Sequence, residues 1–241
     1  MIGLGTIANV IAIAIGATIG LIVKGGIPER FEKTIMSALG LSSMFIGISG
    51  TLRGIMIINQ DGSLSSQHIM LMILSLVVGG LIGEWIDIEK RLENLGVWCE
   101  RRLTFTKRND DQFVEGFITT SLLFCVGAMA IVGSLEDGLN ANASILYAKS
   151  IMDGIAALIF AASLGRGVLF SIIPVAIYQG GITLLARLIE PYLNDVVISQ
   201  MSFVGSILIF SIGINLIFGK KIKIGNLLPA IVIPIIVQIF I

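Results

Sequence analysis

Apolar residues in this chain come in blocks long enough to cross a lipid bilayer, and the blocks recur from end to end. A spanning helix needs ~20 predominantly apolar residues to cross ~30 Å of hydrocarbon. Eight candidate spans follow: Gly3 to Val23, Thr34 to Gly50, Ile69 to Ile86, Phe113 to Gly133, Ala148 to Leu164, Gly167 to Ile189, Met201 to Phe218 and Leu227 to Ile241. The eighth is short and carries Pro229 and Pro234. Charged residues make up 13 % of the chain and the mean hydropathy is +0.97. A soluble domain carries roughly 25 % charged residues, so this chain cannot clothe a water-facing surface of its own size. Lipid satisfies no backbone polar group, so each block must be a helix or part of a closed barrel. Barrel strands alternate apolar and polar residues, and these runs do not. The expected fold is all-α: a polytopic transmembrane helix bundle of about eight spans, one integral membrane domain over 1–241.

The first block has no Lys or Arg before Lys24 and no A-x-A-like site followed by a soluble mature chain, so it reads as a retained span and not a secretory signal. The two cysteines, Cys99 in a charged loop and Cys125 inside a span, cannot build a disulfide framework. The net charge is zero, which gives no general attraction to nucleic acid. The expected partners are membrane lipid and a small solute or ion.

Charge placement gives an orientation. Lys24, Arg30 and Lys33 lie in the first loop, Lys90, Arg91, Arg101, Arg102, Lys107 and Arg108 in the third, Arg166 in the fifth, and Lys220, Lys221 and Lys223 in the seventh. The other face holds only Arg53, Lys149 and Arg187. The positive-inside rule puts the odd-numbered loops in the cytoplasm and the N-terminus outside. Within the third loop, Ile88, Leu92, Leu95 and Cys99 recur on one helical face, with Trp98 suited to a headgroup boundary. This predicts a cytoplasmic or interfacial amphipathic helix over 87–106. Pro28 suits the first turn of a helix, so the second helix is expected to start in the cytoplasm.

A repeat runs through the chain. Gly5 and Gly16-Ala17 match Gly116 and Gly127-Ala128 at equal spacing. "KTIM" at Lys33 echoes "KSIM" at Lys149, and Gly79-Gly80 has a counterpart in Gly180-Gly181. The matches fall in one order, giving unit A over 3–86, unit B over 113–189, and two C-terminal helices over 201–241. Each unit holds three spans, an odd number, so the copies (helices 1–3 and 4–6) would insert with opposite orientation. Inverted repeats of this kind are an architecture of secondary transporters, with the site near the midplane.

Polar side chains inside spans are costly unless paired or wet. Asn9, Thr120, Asp153, Gln179 and Asn215 are the candidates for a substrate or ion pathway, with Asp153 carrying a coupling proton or cation. Glu84, Glu115 and Lys149 sit near span ends and are expected to reach the interface. Gly79, Gly80, Gly180 and Gly181 are candidate helix breaks, which would expose backbone dipoles to a substrate. Pro174 frees a further carbonyl upstream of the second pair. Cys125 and Met129 could mark a soft-metal path, but ordinary packing explains such residues more simply. No metal site or cofactor is expected.

No catalytic residue is expected either. "GISG" at Gly47–Gly50 is similar to the nucleophile motif of rhomboid intramembrane proteases, which need a histidine base. The one histidine, His68, falls in an outer loop. Neither a zinc-protease helix motif nor a phosphate-binding loop is present.

The strings "GTIANVIAIAIGATIGL", "EGFITTSLLFCVGAMAIVGSLEDGL", "KSIMDG", "IPVAIYQGGITLLA" and "GNLLPA" are spread along the chain from Gly5 to Ala230. They resemble the prokaryotic integral membrane family labelled domain of unknown function 554, whose members are described as transport proteins. The resemblance implies a multi-pass protein of the prokaryotic inner membrane and names no substrate. The expected function is a secondary transporter or channel for a small solute or ion. The alternative is a non-transporting scaffold or sensor acting through the 87–106 helix. Small-residue faces permit self-association as a homodimer.

Overall fold

A computed structural model describes residues 2–24, 29–103, 111–125 and 128–240. The helices are α1 (Leu4–Lys24), α2 (Glu29–Ile55), α3 (Ile69–Ile86), α4 (Ile88–Leu103), α5 (Asp111–Cys125), α6 (Ala128–Asn140), α7 (Ser144–Leu164), α8 (Gly167–Phe170), α9 (Ile172–Ile189), α10 (Asp195–Phe218), α11 (Ile224–Leu227) and α12 (Ile233–Phe240). Two short antiparallel strands, β1 (Met56–Ile58) and β2 (Leu64–Ser66), form a hairpin between α2 and α3. The fold is all-α apart from that hairpin.

Among the described residues, six helices are long and apolar enough to cross a membrane: Leu4–Val23, Met36–Ile55, Ile69–Ile86, Ser144–Leu164, Gly167–Leu188 and Asp195–Phe218. The expectation of about eight also counted two segments that do not form single long helices here. The fourth expected span is a bent pair, Gln112–Cys125 and Met129–Asn140, with 60° between the two. The eighth is the shorter apolar stretch Ile224–Gln238. It is broken into α11, a 3-10 turn at Leu228–Ile231 and α12. Pro229 and Pro234 explain the breaks, since each lacks the N–H that an unbroken helix needs.

Large apolar side chains stand on the outside of these helices. Ile7, Ile11 and Ile15 line one face of α1, while Trp85 is 87 % exposed and Leu184 82 %. In water such continuous apolar surface would drive association. In hydrocarbon it is the solvated surface. Several hydroxyls within the helices are satisfied locally: Thr120 Oγ1 donates to the Gly116 carbonyl at 2.7 Å and Ser150 Oγ to that of Leu146 at 2.6 Å. The hydroxyl thereby avoids the cost of an unmade bond.

The chain divides into two compact units. The first comprises Met1–Met36, Lys90–Cys125 and Met129–Glu190. Its seam is α1 against α7. A methyl on Gly16 would overlap the Gly154 carbonyl oxygen, and one on Gly20 would overlap that of Leu158. Gly5 abuts Leu146. The numbers rise together, so α1 and α7 run parallel. Gly116 and Phe113, at the start of α5, meet Leu164 and Gly167 just where α7 ends. Gly133 of α6 meets Ile145 and Leu146 where α7 begins. α5 therefore lies beside the end of α7 and α6 beside its start. Gly138 of α6 receives Thr183 and Ala186 of α9, and Ile173 and Phe170 pack near Phe113. Hence α9 runs in the direction of α5–α6.

The second unit is built from Ser37–Glu89 and Pro191–Ile241. Gly40, Gly47, Gly50 and Gly54 lie on one face of α2, against Ile217, Phe210, Ser206 and Phe203 of α10 in that order. The falling partner numbers make this pair antiparallel. The C-terminal segment doubles back along α3: Gly83 receives the Asn226 backbone and Gly79 that of Ala230. Glycine is required at both positions by that approach.

The glycine pairs do not break helices, which corrects a second expectation. α3 passes unbroken through Gly79 and Gly80, and α9 through Gly180 and Gly181. A broken helix in hydrocarbon strands backbone groups, so a glycine serves more cheaply as a contact surface. Pro174 is the third residue of α9, where its missing N–H is one of those left unpaired at a helix start. α4 follows α3 through a left-handed Asp87 at φ 55. It ends at Leu103, so 104–106 of the expected amphipathic helix, and the side chains of Leu95, Trp98 and Cys99, lie outside the described residues.

Candidate functional site

Three helices of the first unit bring polar side chains to one buried point. Asp153 lies midway along α7, and Lys149 one turn before it. Lys149 Nζ reaches Asp153 Oδ1 at 2.9 Å and Oδ2 at 2.7 Å. From α1, Asn9 Nδ2 donates to Asp153 Oδ2 at 3.0 Å and to Gln179 Oε1 of α9 at 3.2 Å. Asn9 and Gln179 are 0 % exposed, and Lys149 and Asp153 7 %. Lys149 was expected to reach the interface. It does not, because α7 starts earlier than the apolar block, at Ser144, and so draws Lys149 into the bundle onto Asp153.

The orientation of both carboxamides is dictated by their neighbours. Turning Asn9 over would aim its carbonyl oxygen at the Asp153 carboxylate. Turning Gln179 over would set two amide nitrogens against each other. In the only consistent arrangement, Asn9 Oδ1 and Gln179 Nε2 have no partner among the described residues, and neither has Thr6 Oγ1 one turn before Asn9. Buried orphan groups of this kind are rare and ask for a water or a ligand.

Of the five expected pathway residues, Asn9, Asp153 and Gln179 are brought together. Thr120 belongs to the same unit, is buried, and has its hydroxyl engaged by its own helix. Asn215 lies in the second unit and clamps the chain after α10. Its Oδ1 accepts from the backbone N–H of Lys221 and Ile222, both at 3.0 Å, and its Nδ2 donates to the Ile222 carbonyl at 2.8 Å.

Sequence reasoning missed other polar groups. Asp137 of α6 is fully buried and accepts from the backbone N–H of Gly3 and Gly5 at 3.2 and 3.0 Å. It caps α1 from a different helix, meeting donors that have no intrahelical partner. In the second unit, Asn226 of "GNLLPA" accepts from the Glu89 N–H at 2.7 Å and donates to Glu84 Oε2 at 2.6 Å. Glu89 in turn accepts from the Gly225 N–H at 2.6 Å, and Lys223 pairs with Glu84 at 2.6 Å. His68 Nδ1 lies 3.3 Å from the Gly54 carbonyl and Nε2 3.3 Å from Gln200 Nε2, which fits a proton on Nδ1. The signal for the α1 seam was available in Gly16-x-x-x-Gly20, a small-residue packing motif.

Bilayer-length helices, apolar outside and holding an ion pair with two carboxamides inside, define an α-helical membrane protein. The family model described as "Protein of unknown function (DUF554)" matches residues 4–239, and the chain belongs to that family. It is 32 % identical over 230 residues to an uncharacterized membrane protein, YdfK, of Bacillus subtilis (strain 168), covering 95 % of this chain and 93 % of the relative. It is 28 % identical over 232 residues to the uncharacterized protein YqgA of Escherichia coli (strain K12), covering 95 % and 94 %. No solved structure matches the chain.

Proposed function

We propose that the protein is a secondary transporter or channel of the prokaryotic inner membrane, moving a small solute past the Asn9–Lys149–Asp153–Gln179 cluster. The observation that carries this reading is a charged pair and two carboxamides buried within bilayer-length helices, with polar atoms left unpaired among the described residues. Apolar packing would hold such a bundle together more cheaply. Ionisable groups retained at membrane depth usually serve a pathway.

The proposed topology has the N-terminus outside and the basic loops in the cytoplasm. Its sidedness rests on the placement of Lys and Arg in the sequence, and the parallel course of α1 and α7 supports only the parity of its crossings. If α2 and α3 each cross once, α7 can parallel α1 only when α5–α6 together make a further crossing. The inverted repeat stays part of this proposal. Its first helix, α1, packs with the helices of the second triplet, while α2 and α3 belong to the other unit.

Solute flux into proteoliposomes tests the reading. Wild-type protein is expected to raise flux above empty vesicles, and Asp153→Asn to abolish the gain while remaining folded and monodisperse. α4, which continues directly from α3, favours the scaffold or sensor as second reading. That reading prevails if deleting α4 abolishes cellular function while Asp153→Asn leaves it intact.

A further inference from the structure

We infer that the cluster in the first unit takes a small uncharged solute carrying a hydrogen-bond donor beside an acceptor, of the urea, primary amide or polyol class, and not a bare ion. This rests on the transport reading and names its substrate class. Charge sets the first limit. Lys149 holds both carboxylate oxygens of Asp153, at 2.9 and 2.7 Å, so the cluster carries no formal net charge. A cation binding Asp153 would have to evict an ammonium that is already in contact and strand it among apolar side chains. An anion would face the same cost in reverse. Both outcomes leave a buried unpaired charge.

Open valences narrow the class further. Asn9 Oδ1 offers acceptor lone pairs and Gln179 Nε2 offers two N–H donors, and none of these has a partner among the described residues. Thr6 Oγ1, which can donate or accept, is buried and unpartnered one turn away. A neutral molecule with an N–H or O–H for Asn9 and a carbonyl or hydroxyl oxygen for Gln179 satisfies both amides without touching the ion pair. A methyl on Gly180, next to Gln179, would make an ordinary contact with Thr6 Cγ2 at 4.0 Å. Thr6 of α1 and Gly180 of α9 therefore face each other beside the two amides. In hydrogen-bonding sites of this kind, selectivity comes from the cost of leaving buried donors and acceptors unmet.

Stopped-flow light scattering on proteoliposomes tests this with urea, acetamide and glycerol gradients, alongside Na+, K+ and Cl− flux on the same preparation. Urea or acetamide is expected to re-enter several-fold faster than in empty vesicles, with ion flux at the empty-vesicle level. Gln179→Met keeps the length of the side chain but removes both the Nε2 donor and the Oε1 acceptor that Asn9 uses, and is expected to slow solute entry about fivefold to tenfold or more, at least the loss of one hydrogen bond to a neutral group. Gly180→Leu, which sets a bulky side chain against Thr6 beside the two amides, should slow entry. Ion flux without amide or polyol flux would overturn the solute class and leave transport standing. No flux of any probe would overturn both. Amide flux unaltered by Gln179→Met and Gly180→Leu would overturn the assignment to this cluster.

Discussion

Lys149 pairs with Asp153 one turn further along α7, Nζ to Oδ2 at 2.7 Å, and both side chains are shut away from solvent. Removing one partner of a buried pair leaves the other charge uncompensated. Lys149→Met alone should therefore cost about 3–5 kcal/mol, while the double variant Lys149→Met/Asp153→Leu should return to within about 1 kcal/mol of wild type. Unfolding in detergent measures both. Equal losses in the single and double variants would show that the pair does not act as a unit.

The α1–α7 seam depends on missing side chains. Gly16→Ala pushes a methyl into the Gly154 carbonyl and should lower stability by about 1–3 kcal/mol as the helices are forced apart. Gly181→Ala, where a methyl would meet nothing within 4 Å, should be neutral or raise stability by up to about 1 kcal/mol through helix propensity. Thermal melts of the two variants read this contrast directly.

Asp137 serves the start of α1. Asp137→Ala removes the acceptor for two backbone donors and should cost about 1–2 kcal/mol, a cap's usual worth. Asp137→Asn keeps one acceptor oxygen and should lose about half of that. Hydrogen exchange at Gly3 and Gly5 should quicken in both, more in the alanine variant.

The hairpin after α2 carries a pH signature. The Ser63 hydroxyl and backbone N–H both donate to Asp61, holding its carboxyl below the usual carboxylate range. Its folded pKa is depressed, so its contribution is present above the unfolded value and is lost as pH falls through the folded one. An Asp61 titration by NMR should show a midpoint below that of a model peptide, with Ser63 exchange rising as the carboxyl protonates.

Hydropathy made the lipid residence and most of the helices legible, because apolar blocks of bilayer length admit few other structures. Asn9, Asp153 and Gln179 stood out as stranded polar residues for the same reason, and they do meet. Lys149 was expected at the interface because a hydropathy block ends where charge begins, whereas α7 starts earlier, at Ser144. The glycine pairs were ambiguous by nature: glycine serves a helix break and a close contact equally well, and only the neighbours, Ala230 for Gly79, decide which. Asp137 and Asn226 read as loop polarity, since their partners are backbone groups distant in sequence. The break between α5 and α6 left no proline to mark it.

The transport reading requires the cluster to lie on a water-filled route and not in a sealed core. Thiol labelling in membranes tests this most directly, using Gln179→Cys in a chain whose Cys99 and Cys125 are replaced by alanine. The introduced thiol is predicted to react with a charged, membrane-impermeant thiol reagent, and added urea or acetamide to slow that reaction. A thiol at this position inert to the reagent from both sides of the membrane, in folded protein, would contradict the reading.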